Sequence, residues 1–105
     1  MKSINVQELK SMFENQEEFI LIDVREQHEF EQANLGGNLI PTSEFANRYT
    51  EIPKEGKVVV HCRSGMRSAN VIQWLEQNLG HTNLYNLEGG IMAWSQQIDP
   101  SLHVG

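Results

Sequence analysis

A chain of 105 residues suits one compact domain and can bury roughly 65% of its unfolded surface, so a core needs neither disulfide nor metal. Fourteen Asp and Glu against eight Lys and Arg give a net charge of −6, which argues against nucleic-acid and anionic-membrane partners through simple repulsion. The single cysteine, Cys62, excludes an internal disulfide and any Cys–Cys metal pair, and no apolar run reaches the roughly 20 residues of a membrane span. Together with an N-terminus that lacks a signal-like apolar stretch, this leads us to expect a reducing, cytoplasmic setting.

Asn5 and Glu8 have capping-box spacing, and Val6, Leu9, Met12 and Phe13 recur at helical intervals, which predicts an amphipathic helix over about 5–15. Phe19 to Val24, FILIDV, is a nearly continuous apolar run of the kind found in strands buried on both faces. The charged stretch REQHEFEQA allows one or two helical turns. Asn34 to Pro41 reads as a short strand between turns, and Ser43 is placed to cap a helix ending near Tyr49.

Lys57 to His61, KVVVH, is a second clear strand. Val71, Ile72, Leu75 and Leu79 then form one stripe of a helix from Arg67, with Gly80 at its C′ position. Asn83 to Leu87 reads as a strand. Gly89-Gly90 makes a tight turn into a last helix over about 91–98, which Asp99-Pro100 stops. The alternation predicts an α/β fold, with a mainly parallel sheet, as a single domain over 1–105 whose last five residues form a loose tail.

The chemistry concentrates in Lys57–Ala69, KVVVHCRSGMRSA. A buried strand ends at His61, and Cys62 follows in the crevice outside the carboxyl edge of the sheet, where parallel sheets bind ligands. The helix behind it offers unpaired N–H groups and a positive dipole end. Gly65 lets the loop curl its amides into an anion nest, and Arg63 and Arg67 add positive charge. All three favour thiolate over thiol. The bland alternative, a lone cysteine acting as a small buried hydrophobe, leaves the polar and basic residues after it unexplained.

The segment CRSGMRS resembles the active-site loop of the rhodanese superfamily. LIDVREQHEFEQA (Leu21–Ala33) and NLEGGIMAW (Asn86–Trp94) resemble the family's first and C-terminal signatures, in the same order. The resemblance implies a doubly wound domain with helices on both faces of the sheet. It also implies a sulfurtransferase of the thiosulfate:cyanide type, in which Cys62 is the nucleophile and persulfide carrier. On that reading the amides of Arg63, Ser64, Gly65, Met66 and Arg67 cradle the outer sulfur, while the Arg63 and Arg67 side chains orient anionic donors. Asp23 and Arg25 support the loop structurally. One stretch departs from the pattern: Asn34-Leu35-Gly36-Gly37-Asn38 stands where many members have His-Ile-Pro-Gly-Ala, which bears on the rim of the site.

Two rivals share this loop. Rhodanese-fold phosphatases and arsenate reductases use a loop one residue longer, with room for a tetrahedral oxyanion; the four residues Arg63 to Met66 between Cys62 and Arg67 suit a single sulfur. A sulfur-carrier or regulatory binding module without small-molecule turnover is the second. The mechanism calls for no cofactor and no metal, and the four histidines lack ligand spacing. The expected partners are a small sulfur donor and acceptor, with a sulfur-relay protein also compatible. His61 should face away from Cys62 and pack, and Trp74 and Trp94 are expected at the core or its edge.

Overall fold

The computed structural model describes all 105 residues. Five strands form one parallel sheet in the order β1-β5-β4-β2-β3: β1 (Lys2–Ile4), β2 (Ile20–Asp23), β3 (Asn38–Leu39), β4 (Val58–His61) and β5 (Leu84–Leu87). The two long apolar runs take its centre. Leu21 pairs with Val59 and Ile22 with Val60, while Val59 also lies beside Tyr85. Val58, Val59 and Val60 are fully buried, each contributing roughly 1.5–3 kcal/mol by transfer from water.

Alternation along these strands builds two cores. Ile22, Val58, Val60 and Leu84 meet Val71, Ile72 and Leu75 of α4 (Met66–Leu79) on one face. Leu21, Val59 and Leu87 meet Val6, Leu9 and Met12 of α1 (Val6–Glu14) on the other, joined by Ala93 and Trp94 of α5 (Gly90–Gln97). Helices therefore cover both faces, the doubly wound arrangement expected.

Helix α1 starts with the full capping box: Asn5 Oδ1 accepts from Glu8 N at 2.8 Å, and Glu8 Oε1 accepts from Asn5 N at 3.2 Å. Helix α4 ends on Gly80 at φ +74°, the left-handed C-cap. Two local expectations are corrected. The three-residue strand β1 is an addition to the predicted elements; its partner is β5, more than eighty residues on, and so short a stretch carries no periodicity. Ser43 does not cap a helix. Residues Thr42–Glu44 form a 3-10 turn before the short α3 (Phe45–Arg48), and the Ser43 hydroxyl instead donates to Glu26 Oε1 at 2.6 Å. Ser43 N also donates to Glu26 Oε2 at 3.3 Å, so the carboxylate takes both donors of Ser43 and orients its side chain toward α2 (Gln27–Gln32). No helix is long and apolar enough to cross a membrane.

Candidate active site

After β2 the chain moves to β3 on one side, and after β4 it moves to β5 on the other, which opens a crevice between the carboxyl ends of β2 and β4. Cys62 is the first residue past β4, and it is 1% exposed.

The Cys62 sulfur acts as the N-terminal cap of α4. The N-cap residue, Gly65, has φ +110° and no side chain to accept a hydrogen bond. The helix donors turn to sulfur instead: Gly65 N donates to Sγ at 3.1 Å and Ser68 N at 3.5 Å. A negative sulfur here meets both the orphan amides and the positive end of the helix dipole. Burial pushes the thiol pKa up, but the Ser68 hydroxyl and the amides of Ser68, Gly65 and Ser64 outweigh it. The net result lies below the ordinary thiol value.

Two residues absent from the sequence-derived set complete this shell. Buried Ser68 places Oγ 3.4 Å from the sulfur and 2.6 Å from Asn86 Oδ1, and Asn86 Nδ2 donates to the Gly65 carbonyl at 3.1 Å. Asn86, on β5, thus braces both the loop and the hydroxyl. The signal for Ser68 is present in CRSGMRS; Asn86 opens NLEGGIMAW, but nothing local shows that it reaches the loop. Ser68→Ala removes a hydroxyl whose one proton is shared between Asn86 Oδ1 and the sulfur, and with it a contribution that lowers the thiol pKa. The pH at which iodoacetamide alkylation of Cys62 reaches half its maximal rate should therefore move upward in the variant.

Helix α5 fixes the loop from behind. Ile91 N donates to the Cys62 carbonyl and Met92 N to the Arg63 carbonyl, both at 3.0 Å. With its carbonyls turned toward α5, the loop leaves later amides free to face the sulfur. This requires close approach at Gly90, where a Cβ would stand 2.4 Å from the Cys62 carbonyl oxygen and 2.5 Å from that of Arg63.

The two loop arginines differ. Arg63 sends Nε to the Gly105 carbonyl at 2.9 Å, so the last residue of the tail touches the loop. Arg67 is clasped by Glu29 through two parallel bonds of 2.7 and 2.9 Å. Hydrogen bonding to Arg67, against the opposing effect of burial, holds the Glu29 carboxyl at about 2. Glu29 lies on α2, outside the residues that the sequence singles out. Ser64 and Met66 are exposed at the rim, Met66 to 75%.

Asp23 and Arg25 form a buried ion pair, with Arg25 Nη2 at 2.8 Å and Nε at 3.0 Å from the carboxylate oxygens. Arg25 also donates to the carbonyls of Ala33 and Glu29, binding the end of β2 to α2 and to the residue that follows it. Neither side chain hydrogen-bonds Cys62. His61 is fully buried with its Nε2 3.8 Å from Asp23, too far for a hydrogen bond, and burial pushes its pKa down.

Beside the loop lies an open cavity of about 550 Å³, walled by Phe45, Tyr49, Val71 and Trp74 and rimmed by Thr42 and Arg67. The Trp74 ring meets Phe45 and Tyr49 edge-on at 5.5 and 5.2 Å. Trp74 is 39% exposed, so its place is the wall of this cavity rather than the core, and Trp94 sits at the edge of the other core.

Comparison with known proteins places the chain in a family. The chain is 34% identical over 97 residues to a sulfurtransferase of Allochromatium vinosum, covering 91% of this chain and 90% of that protein. It is 38% identical over 110 residues to the rhodanese-like/PpiC domain-containing protein 12, chloroplastic, of Arabidopsis thaliana, where it spans 36% of the relative's length. A crystal structure of a rhodanese-like domain protein from Staphylococcus aureus superposes with a TM-score of 0.82 at 31% identity, covering 100% of this chain and 99% of that one. The family model described as Rhodanese-like domain matches residues 5–97, and the chain belongs to that family.

Proposed function

We propose that this protein transfers sulfane sulfur through a persulfide on Cys62. The observation that carries the reading is a buried thiol at the crevice whose sulfur caps α4 and whose pKa is lowered by surrounding donors. The Cys62 thiolate attacks the outer sulfur of a donor, thiosulfate or a persulfide. A new S–S bond forms, the donor's own bond to that sulfur breaks, and sulfite or a thiolate leaves with the electron pair. The Cys62 persulfide anion then occupies the ring of amides from Ser64 to Ser68. A thiophilic acceptor (cyanide, a thiol or a protein thiolate) attacks the outer sulfur, and Cys62 leaves as the thiolate that began the cycle.

Each group has a defined task. The amides receive the negative charge as it moves outward by one sulfur, which costs no reorganisation because α5 already holds the loop. Glu29 holds Arg67 beside the loop, and Gly65 supplies the left-handed turn that brings the amides round the sulfur. The short loop between Cys62 and Arg67 disfavours phosphate or arsenate chemistry, which needs a wider ring. Sequence relatives bearing the name sulfurtransferase support the same reading.

The test is intact mass after exposure to thiosulfate or glutathione persulfide, for wild type and Cys62→Ser, with thiocyanate release from cyanide measured alongside. Wild type should gain roughly 32 Da, lost again on adding cyanide or a thiol. Cys62→Ser should gain nothing and release no thiocyanate. A wild-type protein that takes sulfur from neither donor would leave a binding module as the better description.

A further inference from the structure

Arg67 is the loop cation whose charge is felt at Cys62, and it is already neutralised. Glu29 engages both of its terminal nitrogens at 2.7 and 2.9 Å. Glu29 is itself held in place, since its Oε1 also accepts from Glu26 N at 3.0 Å. With its carboxyl held at about 2, Glu29 carries its charge throughout the physiological range. The neighbouring pair Asp23–Arg25 is likewise internally balanced, and Glu26 adds a further carboxylate held by Ser43 and Thr42. The remaining positive side chain of the loop, Arg63, is directed toward the tail.

An inorganic sulfur donor such as thiosulfate brings two negative charges to this mouth, and the persulfide group of an organic donor brings one. Arg67's share of the attraction that would repay desolvation of the second charge has been cancelled in advance. The wall next to Arg67 is also apolar, formed by Phe45, Tyr49, Val71 and Trp74, a surface for a carbon skeleton rather than a small dianion. We infer that Glu29 determines donor specificity: by neutralising Arg67 it selects singly charged organic persulfides over doubly charged sulfur oxyanions. This inference rests on the sulfur-transfer reading above and names the donor class for that site.

Electrostatic energy scales with the charge of the donor, which separates this effect from a general change in reactivity. Thiosulfate and methanethiosulfonate both deliver a terminal sulfur from a sulfonyl-type sulfur, and they differ by one unit of charge. Glu29→Gln keeps, through Oε1, the acceptor that Glu26 N and Arg67 Nη1 need, and removes the charge together with the second bond to Arg67. It should raise kcat/KM about threefold for methanethiosulfonate and about tenfold for thiosulfate, the square of the first factor. The thiosulfate gain should fall with added salt, whereas wild type should respond weakly. Alkylation by uncharged iodoacetamide, at a pH where Cys62 is fully ionised, should not change.

Glu18→Gln is the control, an equal change of net charge before β2, at the opposite edge of the sheet. It should alter neither donor. Arg67→Gln supplies an independent arm with the opposite sign, lowering thiosulfate turnover by the square of its effect on methanethiosulfonate. Equal factors for the two donors, or no gain in Glu29→Gln, overturn the inference while leaving sulfur transfer intact. Failure of wild type to take sulfur from any donor would instead overturn the function itself.

Discussion

Gly90→Ala should abolish sulfur uptake at Cys62 while leaving most of the fold assembled. Gly90 has φ +60°, where a side chain costs roughly 1–2 kcal/mol, and the added methyl would meet two carbonyl oxygens at 2.4 and 2.5 Å. Neither oxygen belongs to a flexible side chain, so relief must come from moving α5 or the loop, a further cost of roughly 1–3 kcal/mol. Both movements break the bonds from Ile91 and Met92 that turn the loop carbonyls away from the sulfur. Gly80→Ala isolates the two contributions. Gly80 has φ +74°, and a methyl added there would find nothing within 4 Å, so it bears the backbone cost alone. Thermal melting should show a modest loss for Gly80→Ala and a larger one for Gly90→Ala, and mass spectrometry should show persulfide only in the former. Normal sulfur uptake by Gly90→Ala would refute the view that α5 sets the loop.

Arg25→Met should be the most destabilising single change near the site. It strands the Asp23 carboxylate in a fully buried position and also orphans the Ala33 carbonyl. Removing one partner of a buried ion pair typically costs about 3–5 kcal/mol, a large part of the stability of a domain this size. The double variant Asp23→Asn, Arg25→Met should recover a substantial part, because an uncharged amide can still accept the bond from the backbone N of residue 25. Urea unfolding of the four proteins of this cycle measures the coupling directly. Additive losses would mean that the pair contributes through packing rather than charge.

What could be read from the sequence follows from the range of the interactions involved. FILIDV and KVVVH announced the central strands because burial on both faces demands an unbroken apolar run, and the Asn5–Glu8 box is local by nature. The position of Cys62 beyond a strand and before a helix was equally local. Glu29 and Arg67 lie 38 residues apart, and their union depends on how α2 folds back over the crevice. Asn86 needs the β4–β5 pairing before it faces the loop. The glycine pair was legible as a turn, but the reason for its second member lies in the carbonyls it approaches, which no reading of residues 86–94 alone contains.

The dependence of the loop on α5 has a consequence for the newly made chain. A nascent polypeptide that has emerged only through α4 already holds the thiol, the arginines and the helix that the sulfur will cap. It lacks Asn86 and the two amides that pin the carbonyls of Cys62 and Arg63. Synthesis runs from the N-terminus, so these supports arrive last. The groups that brace the loop are therefore the last part of the domain to be made, although the donors to the sulfur itself precede them.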